Sequence, residues 1–366
     1  MASDDVWERL FAKLAEFGVD DKALKAAQAE GMDGIRRLVA RYVSFPGARQ
    51  YSPRDIYEKI GVSEETATGL WRAMGFALVP DDEVAFTEAD VAALLAAKRV
   101  LDSAQMDEAV LLQQARSMSQ AAARIAASQQ DVIGTLIPDG DPVRAAQEVL
   151  RLAEEALPTL DRLLVYMYRR HLAAATEQQM MLGRTAEGSV PMSVGFADLS
   201  GFTAMSQELD VRQLAALIDR FNGTTSDIVA QCSGRVIKTI GDEVMFATPE
   251  AGSACEIAVT LLGDMETENL PPLKIGIASG QVLPSEGDLF GSPVNLASRL
   301  VTTAVPGSAL VDEATHAAMS DDERFSFSQT RRQHLKGFGL THAFRLRPPG
   351  QVDDKSRRHR ERRRDR

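Results

Sequence analysis

The chain has 366 residues, of which 45% are hydrophobic and 25% charged, and its formal net charge is −11. This length predicts two or three domains, and the composition is that of an ordinary globular protein. No stretch approaches about 18 consecutive apolar residues. The N-terminus is acidic, unlike a secretory signal, and the two cysteines, Cys232 and Cys255, form no CxxC pair. We therefore expect no membrane span, no disulfide scaffold, no zinc ribbon and a cytoplasmic location.

The charge is unevenly distributed along the chain. Residues 355–366 contain eight Lys and Arg against two acidic residues, so the rest of the chain carries about −17. An acidic body argues against nucleic-acid binding by the folded part, because the phosphate backbone is itself anionic. We interpret residues 348–366 as a basic disordered tail. An arm for an anionic membrane or for nucleic acid is the alternative.

The first half of the chain has the periodicity of helices. Apolar residues recur at spacings of three and four through 4–17, 20–42, 87–102, 107–130, 142–157 and 158–182. Pro142 and Pro158 suit helix starts, and residues 137–141 have the composition of a turn. We expect a helical domain over residues 1–183, whose last helix, 158–182, leads into the second half.

Residues 51–75 have the pattern of a helix-turn-helix. The expected caps and turn residues are all present: Ser52, Pro53, Gly61 and Ser63. Residues 86–91 resemble the segment after the small wing of MerR-type regulators, so DNA binding is one hypothesis. However, the second helix opens with Glu64 and Glu65, where a base-reading helix approaches phosphates. We favour a structural or sensory role.

The helix over 158–182 carries an apolar stripe that ends in a histidine. Its members follow a 4-3-4 spacing: Leu160, Leu164, Met167 and His171. His171 is either a structural histidine or a protonation switch. Helical domains with apolar linings also hold small molecules or lipids, although no residue here specifies such an effector.

The second half changes character near Gly183. Alternating and β-branched segments predict strands at 193–197, 235–240, 244–247, 273–278, 309–311 and 342–346. Helical stretches lie between them at 211–231, 251–266 and 294–303. Strands that alternate with helices predict an α+β or α/β domain. We expect this domain over residues 190–347, after a boundary at 184–189.

Three motifs in this half combine carboxylates, glycines and basic residues. FADLSGFT (196–203) predicts a strand that ends in a carboxylate, followed by a turn that opens a helix. KTIGD (238–242) predicts a hairpin with a second carboxylate at its tip. In DLFGSPVNLASR (288–299), Asn295 and Arg299 are four residues apart and share a helix face. Taken singly, these motifs also fit a helix cap, a tight turn and a solvated arginine.

Together, in this order and at this spacing, the motifs resemble those of the class III nucleotidyl cyclases over residues 190–346. The resemblance implies a ferredoxin-like βαββαβ catalytic domain, and so an α+β protein with a helical N-terminal domain. The layout resembles the soluble two-domain actinobacterial adenylate cyclases. In that group the N-terminal domain regulates the catalytic one, and some members respond to acid pH.

The resemblance also implies roles for individual residues. Two divalent cations, Mg²⁺ or Mn²⁺, are expected on Asp198, the carbonyl of Leu199 and Asp242. Asn295 and Arg299 match the residues that orient the ribose and stabilise the α-phosphate. The turn that follows the first carboxylate would cradle the phosphates through Gly201, Phe202 and Thr203. Lys336, in LKGFG, resembles a lysine that contacts the distal phosphates.

Base selection follows from Lys238 and Asp288, which match the pair that reads the base. A lysine and an aspartate complement the N1 acceptor and N6 donor of adenine, whereas guanine would leave both facing like partners. The resemblance therefore implies that a homodimer converts ATP to cyclic AMP and pyrophosphate. One departure is the stretch between Gly280 and Asp288, which is shorter than the dimer-forming arm of many members. The alternatives are a nucleotide-binding regulatory module and a DNA-binding regulator.

Overall fold

The computed structural model describes residues 2–38, 42–104, 107–136, 142–182, 188–267 and 270–349. The chain divides into two compact units, Met1–Ala174 and Ala175–Arg366. The predicted turn at 137–141, residues 184–187 of the predicted boundary, and the tail from residue 350 onward lie outside the described residues. Among the described helices, none combines the length and the apolar character needed to cross a bilayer.

The first unit is helical. Its helices are α1 (Ala2–Glu16), α2 (Asp21–Ala29), α3 (Met32–Leu38), α4 (Pro53–Ile60), α5 (Glu64–Ala73), α6 (Glu88–Ala104), α7 (Glu108–Leu136), α8 (Pro142–Arg151) and α9 (Leu157–Leu182). The last helix continues into the second unit. Leu10, Leu14 and Val149 belong to one buried cluster, while Leu70 and Val91 belong to another.

Two of the predicted helices are not continuous. The stretch 20–42 is broken after α2, because Gly31 adopts φ +64°, a left-handed conformation that ends a helix. The stretch 142–157 changes to a π-helical turn at Leu152–Ala156 before α9 begins. Apolar periodicity reports a buried face, but it does not reveal a local change of winding.

The caps predicted for α4 and α5 are present. The Ser52 side chain accepts a hydrogen bond from the Asp55 amide, and the Asp55 carboxylate accepts one from the Ser52 amide. Gly61 ends α4 at φ 68°, and the Ser63 side chain accepts from the Thr66 amide at the start of α5. These local contacts stabilise the two helix ends that the sequence marks.

The second unit alternates strands and helices. Its strands are β1 (Val190–Leu199), β2 (Arg235–Ile240), β3 (Glu243–Thr248), β4 (Leu273–Ser285), β5 (Asp288–Phe290), β6 (Ser308–Val311), β7 (Ser326–Gln329), β8 (Gln333–Leu335), β9 (Gly339–Thr341) and β10 (Phe344–Arg347). Its helices are α10 (Phe202–Glu208), α11 (Val211–Gln231), α12 (Ala251–Thr267), α13 (Ser292–Thr303) and α14 (Glu313–Met319).

The main sheet has the strand order β2-β3-β1-β4-β6-β10-β7. The β2–β3, β3–β1 and β1–β4 pairs are antiparallel, whereas β4 and β6 are parallel. With α10 and α11 after β1 and α12 after β3, this is the order of a ferredoxin-like βαββαβ unit, which confirms the predicted fold class. Strand β4 runs well past the predicted 273–278, because residues 279–282 continue its pairing with β1 and residues 283–285 form a hairpin with β5.

The two faces of this sheet are covered differently. One face packs against α11 and α12 around Phe221, Ile257 and Leu261, all fully buried. The opposite face carries Phe196 and Met245 and packs against α13. Asp198 and Lys238 lie on this second face, because Asp198 follows Phe196 by two residues and Lys238 pairs with Met245.

Candidate active site

The first two carboxylates lie together at one end of the sheet. Asp198 is the next-to-last residue of β1, and Asp242 lies in the turn between β2 and β3. The Leu199 amide donates a hydrogen bond to the Asp242 carbonyl over 3.2 Å. This main-chain bond fixes the hairpin tip beside the end of β1. The carbonyl of Leu199 lies at the same corner.

The strand register surrounds Asp198 with charge. Glu243 on β3 and Lys274 on β4 are its direct cross-strand partners, so all three side chains share one face of the sheet. Because Phe196, two residues earlier on β1, is buried under α13, this is the α13 face. At this end of the sheet, two acidic side chains and one basic side chain therefore lie in a row, in the order Glu243, Asp198 and Lys274.

Burial raises the pKa of Asp198, the charge of Asp242 raises it further, and Lys274 opposes both effects. Burial also raises the pKa of Glu243, and Asp198 and Asp242 add to that shift. These carboxylates repel one another because they are crowded and partly removed from water. A divalent cation at this corner would relieve that repulsion.

The donor set fits such a cation. Two carboxylates and a main-chain carbonyl are the hard oxygen ligands that Mg²⁺ and Mn²⁺ take. No group of three or more His, Cys, Asp or Glu side chains within the described residues is arranged to hold a metal by itself.

Lys238 and Asp288 form an ion pair. Lys238 lies on β2 after an irregularity in its pairing with β3, and Asp288 is the first residue of β5. The Lys238 ammonium donates to the Asp288 carboxylate, whose other oxygen accepts from the Leu289 amide. Lys238 is paired with Met245, a buried residue of the α13 face, so the lysine also lies on that face.

Asn295 and Arg299 are both exposed on one side of α13. The helix lies close to β4, where Gly276 leaves room for the α13 backbone at Ala297 and Val301. Since β4 pairs with β1, this contact fixes the height of Asn295 and Arg299 above the strand that carries Asp198.

The remaining predicted residues lie in turns. Gly201 has φ 80° and precedes α10, with Phe202 half-buried and Thr203 exposed at its start. Lys336 is exposed in the turn between β8 and β9. Within the described part of the chain, no hydrogen bond or ion pair joins Lys336 to the three pairs of motif residues.

Comparisons with known proteins agree with this geometry. The family model described as "Adenylate and Guanylate cyclase catalytic domain" matches residues 185–347. An adenylate cyclase of Streptomyces coelicolor is 40% identical over 270 residues, which cover 73% of this chain and 71% of the relative. The chain belongs to the class III nucleotidyl cyclases. It is an enzyme of that family, and its actinobacterial relatives place it with the adenylate cyclases.

Two further likenesses extend the comparison. A pH-sensitive adenylate cyclase of Mycobacterium tuberculosis is 30% identical over 354 residues, or 93% of this chain and 87% of the relative. The solved structure of the adenylyl cyclase CyaB from P. aeruginosa is 23% identical with a TM-score of 0.40. It covers 45% of this chain and 94% of that one.

For this cyclase, the structure groups the predicted residues as pairs: Asp198 with Asp242, Lys238 with Asp288, and Asn295 with Arg299. Sequence reasoning missed Glu243 and Lys274, which the strand register aligns with Asp198. The only available signal was that each is a charged residue at the start of an otherwise apolar strand.

Proposed function

We propose that the protein converts ATP to 3′,5′-cyclic AMP and pyrophosphate in a homodimer with two divalent cations per site. The observation that carries the proposal is the corner formed by Asp198, Asp242 and the Leu199 carbonyl. It lies on the same face of the sheet as Lys238 and α13, in a chain of the cyclase family. The two carboxylates, the main-chain carbonyl and the basic residues together are the groups that displacement at a phosphorus atom requires.

In the proposed reaction the ribose 3′-hydroxyl loses its proton to solvent and its oxygen forms a bond to the α-phosphorus. The bond from that phosphorus to the oxygen that bridges to the β-phosphorus breaks, and pyrophosphate leaves with that oxygen. Bound divalent cations would supply Lewis acidity that lowers the pKa of the 3′-hydroxyl and neutralises the triphosphate. Arg299 meets the negative charge that grows on the α-phosphoryl oxygens, where a fixed donor contributes most. Asn295, one turn earlier, orients the ribose.

The Lys238–Asp288 pair selects the base. The ion pair holds a donor and an acceptor next to each other, in the pattern that adenine complements at N1 and N6. The Leu289 amide holds the Asp288 carboxylate through its second oxygen. Guanine presents the reverse pattern, and buried polar groups left without partners discriminate strongly against such an analogue. This supports ATP over GTP as the substrate.

A homodimer is supported by the apolar surface near this pair. Leu283 and Phe290 face each other across the β4–β5 hairpin, yet their exposures are 46% and 52%. Ile240, at the end of β2, is 54% exposed. Exposed apolar residues beside functional groups mark an interface, and a two-fold dimer would use the same patch on both copies. In such a dimer, Asp198 and Asp242 of one chain complete a site with the remaining pairs of the other.

Regulation by the helical unit is the further part of the proposal. The Mycobacterium tuberculosis relative that spans nearly the whole chain is named for pH sensitivity. Helix α9 ends eight residues before β1 begins. In α9, Leu160 and Leu164 are half-buried, whereas His171 is exposed.

DNA binding is not favoured. The helix that would read bases, α5, is packed against α7: the Ser119 hydroxyl of α7 donates to the Met74 carbonyl at the end of α5. Leu111 of α7 is buried in the same cluster as Leu70 of α5. A recognition helix must present its side chains to a groove, and α5 is partly covered by another helix.

The test is a product assay with the full chain. ATP or GTP is supplied with Mg²⁺ or Mn²⁺, and the nucleotide products are separated by chromatography while pyrophosphate is quantified. We expect cyclic AMP and pyrophosphate in equal amounts from ATP, little product from GTP, and none when EDTA is added. Asp242→Asn is the matched inactive control. Absence of cyclic AMP from both the full chain and a chain lacking residues 1–183 would refute the proposal.

A further inference from the structure

A cavity of about 390 Å³ lies within the helical unit. It is bordered by the segment 42–49, the end of α5 and the loop 76–87 that leads to α6. The described residues that line it belong to the first unit, whereas the residues predicted for the cyclase reaction belong to the second. The reaction proposed above therefore does not use this cavity.

The wall of the cavity is rich in aromatic rings. Among the described residues that line it, five carry rings: Tyr42, Phe45, Trp71, Phe76 and Phe86. The centroid of the Trp71 ring lies 4.7 Å from that of Phe76 and 4.7 Å from that of Phe86. The Trp71 indole N–H donates a hydrogen bond to the Ala77 carbonyl over 2.8 Å, which fixes the orientation of the ring. These rings therefore form a preassembled apolar surface.

Two of the rings remain in contact with water. Phe45 is 51% exposed and Phe76 is 54% exposed, whereas Phe86 is only 6% exposed. Phe86 therefore lies at the inner part of the wall, and Phe45 and Phe76 lie at its rim. Neighbouring apolar side chains that stay exposed mark a binding surface, because a ligand that covers them removes that surface from water.

The charged groups of the wall do not favour a charged ligand. Among the described lining residues, Arg49 is the cation and Asp90 is the anion, so their formal charges cancel. The Asp90 carboxylate already accepts hydrogen bonds from the Thr87 amide over 2.7 Å and from the Thr87 hydroxyl over 2.8 Å. Arg49 lies at an exposed position. We therefore expect recognition to come mainly from the rings.

The size and the lining are those of a small-molecule site. Ligand cavities of roughly 300–1,000 Å³ have apolar and aromatic walls with few polar groups. Aromatic rings attract further rings in offset-stacked or edge-to-face arrangements. A flexible alkyl chain gains no such contact and loses conformational entropy when it is ordered. We propose that this cavity binds a small, uncharged, planar aromatic molecule, which stacks against Phe45, Trp71 and Phe76.

A ligand in the cavity would contact the end of α5. Trp71 lies three residues before Met74, whose carbonyl accepts a hydrogen bond from the Ser119 hydroxyl of α7. The cavity is therefore linked through α5 to α7, the longest described helix of the unit.

The first experiment uses the two tryptophans of the chain, Trp7 and Trp71. Trp7 packs against a different buried cluster, so Trp7→Phe leaves Trp71 as the single tryptophan reporter. The probe is 1-aminoanthracene, which is planar, uncharged at neutral pH and more fluorescent in apolar surroundings. Titration of this full-length chain should quench Trp71 emission and raise probe emission with the same dissociation constant.

The second experiment separates aromatic stacking from general hydrophobicity. 2-Naphthol and heptan-1-ol each carry one hydroxyl and partition similarly between water and octanol, but only 2-naphthol has rings. Both are titrated as competitors against 1-aminoanthracene bound to the wild-type chain. We expect 2-naphthol to displace the probe at a concentration about tenfold lower than heptan-1-ol does.

The third experiment locates the site. Phe45→Leu combined with Phe76→Leu removes two exposed rings and keeps apolar side chains in their places. This double variant should bind 1-aminoanthracene about tenfold more weakly, or worse. The matched control, Tyr166→Leu, removes a ring that is 64% exposed on α9 and does not line the cavity. It should bind the probe as the wild type does.

The proposal is overturned if heptan-1-ol displaces the probe as effectively as 2-naphthol, or if the double variant binds the probe as tightly as the Tyr166→Leu chain. It is also overturned if the probe does not bind, or if its emission saturates while Trp71 emission stays unchanged. Circular dichroism checks the fold of each variant. If the double variant does not fold, the comparison of the two alcohols on the wild-type chain decides the matter. None of these measurements depends on turnover, so the cavity and the cyclase activity are tested separately.

Discussion

Gly276→Ala tests whether the contact between α13 and β4 sets the catalytic geometry. A Cβ atom at Gly276 would lie 2.3 Å from the Val301 nitrogen and 2.4 Å from the Ala297 oxygen. Both are main-chain atoms, so no change of side-chain rotamer can relieve the clash. Since ordinary contacts begin near 3.4 Å, the helix must move away from the sheet by about 1 Å.

That shift would displace Asn295 and Arg299 together, because both lie on the helix that moves. A misplacement of about 1 Å can cost roughly 10²-fold in rate. Overpacking of this kind also destabilises a domain by about 1–3 kcal/mol. We therefore expect kcat for cyclic AMP formation to fall about 10²-fold in a folded protein with a lowered melting temperature.

The assay measures kcat, KM for ATP and thermal unfolding on the same preparation. Gly223→Ala is the control, because this helical glycine is exposed and has open surroundings. It should keep wild-type kcat and gain up to about 1 kcal/mol of stability from better helix propensity. A folded Gly276→Ala enzyme with kcat within about threefold of wild type would refute the argument that this contact positions the two residues.

Three further outcomes are expected. Without divalent cations, Asp198→Asn should melt at a higher temperature than wild type at neutral pH. This difference in melting temperature should shrink as pH falls, because folding raises the pKa of the Asp198 carboxyl, so protonation at lower pH stabilises the wild-type fold. Equal melting temperatures of the two proteins at neutral pH would contradict this. Lys238→Glu combined with Asp288→Cys should lower the ratio of ATP to GTP turnover by more than about tenfold, and an unchanged ratio would count against the base-reading pair. Removal of residues 1–183 should alter the pH profile of turnover, and His171→Ala should alter it in the full chain if that residue is the switch.

The sequence predicts the regular elements of the second unit well where local signals agree. The predicted strand at 235–240 and helix at 211–231 coincide with β2 and α11. In α11 the cap at Asp210 and the buried residues Phe221, Ile228 and Val229 supply both the start and the periodicity. Both signals are local, so the pattern is sufficient to identify the element.

Elements that depend on distant partners were not predicted. Strands β7, β8 and β9 are three or four residues long and mostly polar. Each exists because another strand pairs with it, as β10 does with β7. Similarly, the end of β4 is extended by its pairing with β5. A short strand without alternation leaves little trace in its own residues.

The residues of the candidate site also divide into those with a local sequence signal and those that depend on distant partners. The motifs identify Asp198, Asp242, Asn295 and Arg299, because glycines and carboxylates at fixed spacing are visible in the sequence. Lys274 becomes a neighbour of Asp198 only through the antiparallel register of β1 and β4, about 75 residues apart. The motifs also identify Lys238 and Asp288 as the base-reading pair, but only the structure shows that the two side chains form an ion pair with each other.

The most direct test of the central claim is complementation between two inactive chains. Asp198→Ala removes a residue of one half of the proposed shared site, and Arg299→Ala removes a residue of the other half. Each variant should be inactive alone. In a mixed dimer one site collects both changes and the other collects neither. With random pairing, about half of the dimers are mixed, so co-expression should restore about one quarter of the wild-type cyclic AMP formation. A mixture that stays inactive although mixed dimers are isolated by two affinity tags would contradict a site built from two copies of this chain.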